Sequence, residues 1–165
     1  MEVETARPLL LVDVDGVLLP FGRSAFPADG VEERWLIDGL EFRVAPDARG
    51  KLETLEEAFE CVWATAWEER ARSELAPRLG TGAGWPVIEF RAVGAGPTWK
   101  LPGVVEWCDA HAGDRPVVWI DDDLDWDAID WARRRPDTLL LPTDPAAGIT
   151  DEHVHAALAW SGVLT

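Results

Sequence analysis

Positive charge is what this sequence has least of. Lysine and arginine together number 15 against 31 aspartates and glutamates, a formal net charge of −16, and Lys51 and Lys100 are the only lysines. Such a chain repels nucleic-acid backbones at long range, which excludes an extended, nonspecific DNA or RNA binder. Cysteine is nearly as scarce. Cys61 and Cys108 have no CxxC partner and no ligand spacing with histidine. Two separate buried thiols in a reducing compartment are therefore expected, with no disulfide framework. Of the three histidines, His153 and His155 lie two apart on a predicted helix, so their side chains diverge and make a poor metal pair. No apolar run approaches the ~20 residues of a membrane span. Met1-Glu2-Val3-Glu4 is acidic where a secretory leader is basic. A cytoplasmic protein without membrane contact is the expectation; the oligomeric state is left open.

What is present is enough apolar material for one core: 165 residues, 47% of them hydrophobic. Short apolar runs recur at Pro8–Asp13, Cys61–Thr65, Pro86–Phe90, Pro116–Asp121 and Thr138–Pro142, each suited to a strand buried on both faces. Helical patterns lie between them, over Lys51–Glu60, Trp67–Leu79, Thr98–Ala110, Leu124–Arg135 and Thr150–Trp160. Glu68 and Glu69 suit the first turn of the second, while Thr150 with His153 makes no capping box. Alternating strands and helices predict a three-layer α/β/α, Rossmann-like domain over residues 1–165, built on a five-stranded parallel sheet. The insertion from Val17 to Gly50 breaks the alternation. Within it, Arg34–Val44 reads as a β-hairpin with an Asp38-Gly39 turn, a small flap beside the first strand.

In a parallel sheet, ligands bind along the edge formed by the strands' C-terminal ends. Asp13, Thr65 and the pair Asp121-Asp122 all fall there. Asp13-Val14-Asp15-Gly16 places two carboxylates two residues apart at a strand end, and Gly16 permits the turn that aims both at one site. Six aspartates crowd into residues 121–130, which is costly unless a cation or positive side chains offset them; a solvated acidic face is the plainer alternative. Thr65 and Lys100, each taken alone, read more readily as a strand-ending β-branched residue and a solvated lysine.

Taken together and in order, these residues resemble the four motifs of the haloacid dehalogenase superfamily: Asp13-Val14-Asp15-Gly16, then Cys61–Thr65, then Lys100 in Thr98-Trp99-Lys100-Leu101-Pro102, then Val117–Asp122. More narrowly, the surroundings of Trp63–Glu68 and Lys100–Pro102 are similar to the small domains of this type in Swiss Army knife RNA-repair proteins. The resemblance implies strand order 5-4-1-2-3 and a magnesium-dependent phosphohydrolase. Asp13 is then the nucleophile, Asp15 the general acid/base, and Lys100 the charge that steadies Asp13 and the transition state. Asp13, the Asp15 main-chain carbonyl and a fourth-motif acid are implied as Mg²⁺ ligands. Asp122 is favoured as direct ligand with Asp121 as its support. Thr65, Gly16, Ala66 and Trp67 are the expected substrate contacts.

The chemistry agrees with this. A carboxylate nucleophile splits a hard phosphoester displacement into two easier steps, and an acid/base serves both. Dehalogenation has no need of Asp15. A catalytically silent binding module is the alternative, opposed by the completeness of the four motifs. A calcium-binding loop lacks its central glycine and final glutamate. The expected substrate is a phosphorylated small molecule, a nucleotide or an RNA end.

Overall fold

The computed structural model describes residues 6–22, 33–91 and 96–163. The acidic N-terminus Met1–Glu4, residues 23–32 of the flap insertion and residues 92–95 of the loop before Lys100 lie outside them.

Five apolar runs were expected to form one sheet. Among the described residues four do, as parallel neighbours in the order β4-β1-β5-β6: β1 (Leu9–Val12), β4 (Glu60–Trp63), β5 (Val117–Asp121) and β6 (Thr138–Pro142). The fifth, Pro86–Phe90, is a correction. It meets β4 only at the bridge Trp63↔Val87, where Trp63 N–H donates to Pro86 O at 2.8 Å and Ile88 N–H to Trp63 O at 3.0 Å. The ladder ends there because β4 turns away at Thr65, and the Phe90 N–H goes instead to the Glu68 carboxylate at 3.3 Å. The position of this segment beyond β4 still agrees with the implied strand order.

Successive residues of a strand face opposite sides, and the burial follows. Leu10, Val12, Trp63, Val118 and Ile120 join one apolar cluster with Leu52 and Leu55 of α1 (Ala48–Ala58) and Val154 of α5 (Asp151–Val163). Leu9, Leu11, Val62, Val117 and Trp119 join the other, with Val104 and Cys108 of α3 (Leu101–His111) and Ala128 of α4 (Trp126–Arg134). Trp63 and Trp119 are fully buried; side chains of this size contribute about 1.5–3 kcal/mol each by burial. The result is the expected α/β/α layering. Among the described residues no helix is long and apolar enough to cross a membrane. Cys61 and Cys108 are free and buried as expected, and burial pushes their thiols up to about 12 and about 11.

The hairpin forms as read: β2 (Arg34–Ile37) pairs antiparallel with β3 (Leu40–Arg43) as a separate two-stranded sheet. Its turn has Asp38 and Gly39 at φ 52° and 76°, the left-handed pair that suits two-residue hairpins.

The helix expected from Trp67 starts later. Residues 66–68 are a turn, Glu68 takes φ 48°, and the chain then passes through a π-helical segment, Ala71–Leu75, into α2 (Ala76–Leu79). Pro77 lacks an N–H, and the Ala76 N–H reaches back five residues to Ala71 O. At α5, the Thr150 N–H is bound by His153 Nδ1 at 3.0 Å. His153 thus performs the back-reach of a capping box, a role the sequence reading denied it.

Candidate active site

The first-motif carboxylates are positioned by a tight apolar turn. Val17, Leu18 and Leu19 all send their N–H to Val14 O within 3.1 Å, and Val14, Val17, Leu18 and Leu19 are buried. With that turn anchored in the core, Asp13 and Asp15 are left at the sheet edge. Gly16 takes φ 78°, and a Cβ on it would stand 2.5 Å from Asp122 Cγ. It is needed both for its backbone conformation and for the space it leaves. The Gly16 N–H is donated to Leu19 O at 2.9 Å, and its carbonyl accepts the Thr143 hydroxyl at 2.7 Å.

Lys100, at the start of α3, is buried at the centre. Its ammonium is 2.7 Å from Asp13 Oδ1, 2.7 Å from Asp121 Oδ2 and 3.2 Å from Ala64 O. Asp121 is fully buried, and Oδ2 also accepts the Trp119 indole N–H at 3.2 Å while Oδ1 accepts the Asp123 N–H at 2.9 Å. Asp122 is half-buried and faces Gly16. Asp13, Asp121 and Asp122 each offer an oxygen, and these lie within 4.8 Å of one another.

Three carboxylates against one ammonium leave two negative charges in excess in a largely buried place. Burial raises the Asp13 carboxyl well above the usual range, Lys100 opposes that, and Asp121 adds to it. Burial likewise raises Asp122, with Asp121 adding to the effect. A divalent cation balances this donor set, and oxygen-only ligands suit magnesium. The residues fit the ion.

Asp15 is half-buried, and its Oδ2 accepts the Trp67 indole N–H at 3.1 Å. Burial raises this carboxyl above its ordinary value, and the indole bond opposes the rise. Thr65 is fully buried; its Oγ1 accepts the Trp67 N–H at 3.2 Å. Ala66 is exposed on the following turn. The site residues singled out from sequence thus lie on one sheet edge, in the turns leaving it or, for Lys100, at the start of α3.

The model of the HAD domain in Swiss Army Knife RNA repair proteins matches residues 9–154. The chain belongs to this family. No curated protein matches the sequence. As a HAD domain the chain sits in a family whose hydrolases typically use Mg²⁺, and the match runs through all four motif positions.

Three participants of this HAD site were not read from the sequence. Trp119 supports Asp121; the i, i+2 spacing on one strand face was the available signal. Thr143 ties the end of β6 to the first-motif turn through Gly16 O, and its N–H reaches Asp121 O at 3.1 Å. Thr98 staples the Lys100 loop to α4. Its hydroxyl accepts the Asp125 N–H at 2.9 Å, and its own N–H goes to the Asp127 carboxylate at 3.2 Å. Much of the acidic run is thereby absorbed into local tasks. Asp125 caps α4 by accepting the Trp126 N–H at 2.6 Å, Asp127 holds Thr98, and Asp130 pairs with Arg134 at 2.5 Å.

Proposed function

We propose that this domain is a magnesium-dependent phosphohydrolase that cleaves phosphomonoesters through an aspartyl-phosphate on Asp13. The observation that carries the reading is Lys100 wedged between Asp13 and Asp121 in a three-carboxylate cluster. A buried assembly so rich in negative charge is costly as architecture and useful as a cation and phosphate site.

Asp13, Asp122 and the Asp15 main-chain carbonyl would hold the ion, with Asp121 as support. The bound ion supplies charge neutralisation that lets a carboxylate approach a phosphate dianion. The rest falls to the chain. Lys100 steadies Asp13 through Oδ1, and a carboxylate oxygen of Asp13 attacks phosphorus. The P–O bond of the ester breaks as the new P–O bond forms, and Asp15 gives its proton to the departing oxygen. Asp15 then takes a proton from water, which attacks the acyl phosphate and releases inorganic phosphate and free Asp13. The Thr65 hydroxyl already accepts from Trp67, so its hydrogen is available to a phosphate oxygen. The Ala66 amide joins it, and Gly16 leaves room for the metal-binding carboxylate.

The insertion 17–50 is a minimal cap, too short for a large lid. An open site of this kind suits a phosphate at the end of something larger, a nucleotide or an RNA terminus. The net charge of −16 limits contact with the rest of a polynucleotide. The test is a panel of nucleotides, phosphorylated RNA ends and small sugar phosphates assayed with Mg²⁺ and with chelator. Broad, metal-dependent release of phosphate, lost in Asp13→Asn with the fold retained, is expected. Full activity in Asp13→Asn would refute the nucleophile. A sugar phosphate preferred ~10³-fold over every nucleotide would refute the open-site reading, since that discrimination requires an enclosing pocket.

A further inference from the structure

The only hydrogen-bond partner of the Asp15 carboxyl among the described residues is a side chain 52 positions away, the Trp67 indole N–H. An indole has one donor and no acceptor, so this ring is committed to Asp15 Oδ2 and leaves Oδ1 for other work.

Trp67 is held in place by contacts of its own and through the anchoring of its neighbour Glu68. Its main-chain N–H is bound by Thr65 Oγ1 at 3.2 Å. The next residue, Glu68, adopts φ 48°, unusual for a residue with a side chain, and its carboxylate is fastened to the Phe90 N–H at 3.3 Å. The Phe42 ring of the hairpin meets the indole edge-on, with centroids 5.5 Å apart and planes at 66°. The Arg70 guanidinium lies 4.9 Å from the indole centroid, and Arg70 is itself ion-paired to Asp38 in the hairpin turn. Arg78 adds a bond to Leu36 O at 3.3 Å, which fixes the hairpin's other strand to the same helical segment.

We propose that Trp67 is a positioning residue for Asp15, and that the β2–β3 hairpin, through Phe42 and the Asp38–Arg70 pair, holds Trp67 in that role. This rests on the phosphohydrolase reading and deepens it. A carboxyl that gives a proton to the leaving oxygen and later takes one from water must keep one orientation through both steps. The indole bond provides that orientation, and the hairpin provides the indole. The flap thereby acts on proton transfer without touching substrate.

Two esters separate this from a general loss of structure. p-Nitrophenolate leaves without a proton, whereas an alkoxide needs one. In Trp67→Phe, which keeps the ring against Phe42 but removes the N–H, kcat/KM for an alkyl phosphate falls about tenfold or more, part of what a positioned acid contributes. For p-nitrophenyl phosphate it falls less than about threefold. Phe42→Ala shows the same selectivity at smaller amplitude. Equal losses on both esters, or none on either, overturn the proposal, because damage to the Thr65 turn would slow both alike. A second readout needs no turnover. The Trp67 indole proton, assigned by its disappearance in Trp67→Phe, exchanges slowly with solvent in the wild-type protein and faster in both Asp15→Ala and Phe42→Ala. Equal exchange in wild type and Asp15→Ala overturns the contact itself. If the wild-type protein cleaves neither ester with Mg²⁺, the phosphohydrolase reading and the catalytic role fail together, while slow exchange still upholds the hairpin–Trp67–Asp15 linkage.

Discussion

Gly16 faces Asp122 so closely that a Cβ placed on it would stand 2.5 Å from the carboxyl carbon. The first and fourth motifs, more than a hundred residues apart in sequence, meet at the one residue type small enough to let them. Gly16 also sits at φ 78°, so any side chain there is strained twice.

Gly16→Ala is therefore expected to destabilise the fold by roughly 1–3 kcal/mol, the usual range for forcing atoms into a packed place. It also displaces Asp122 and raises the Mg²⁺ concentration needed for half-maximal activity. Thermal melting and a Mg²⁺ titration of phosphatase activity check the two effects together. A variant with wild-type melting and wild-type metal dependence would show that the turn can relax away from Asp122.

Asp121 and Asp122 are neighbours with opposite expected phenotypes. Asp121→Ala removes a partner from the buried Lys100 ammonium and strands the Trp119 N–H. Lys100 keeps Asp13 as its partner, so the main loss is the stranded indole donor, about 1–3 kcal/mol, and this variant should melt below the wild type. Asp122→Ala should lose little stability and need much more Mg²⁺. Paired melts and metal titrations decide between them. The reverse order would mean that Asp121 is the direct ligand.

The Asp122 carboxyl is raised mainly by burial and further by the Asp121 charge, against a hydrogen bond with Asp13 that lowers it. A carboxyl whose folded value lies above its ordinary 3.8 penalises the fold when ionised. That penalty is full above the folded value and is released as pH falls through it. Asp122→Asn never carries it. In chelator, the variant should therefore melt above the wild type near neutral pH, and the gap should close as pH falls toward about 4. Each 1 kcal/mol relieved is worth about 2–4 °C in a domain of this size. Saturating Mg²⁺ should reverse the order, because the wild type then gains binding energy that the variant lacks. A gap that does not change with pH would assign it to packing rather than to charge.

Much of the site was legible because its residues sit at ends of elements. A strand end is visible where an apolar run stops, and Asp13, Thr65 and Asp121-Asp122 each mark such a stop. Lys100 stood out as one of two lysines. What escaped was the tertiary hydrogen bonding around them. Thr98, Trp119 and Thr143 look like ordinary polar or core residues until the chain brings Asp125, Asp121 and Gly16 to them. His153 looked unable to cap because Glu or Gln is the usual partner, yet a neutral imidazole nitrogen accepts an N–H equally well.

The sequence by itself determined the layered architecture, since apolar runs alternating with helical patterns leave few ways to bury both faces of a sheet. It also determined the hairpin, because Asp-Gly supplies the left-handed pair that the tight turn requires. Only the tertiary structure decided how far each element extends. Pro86–Phe90 has a strand's composition, but a ladder needs a neighbour, and β4 leaves its side at Thr65. Trp67 and Glu68 have helical neighbours, but the bonds to Asp15, Thr65 and Phe90 hold them in a turn. Apolar periodicity records what a segment buries. The partner that its N–H groups and carboxylates find depends on which distant segments the fold brings alongside, and no local pattern carries that information.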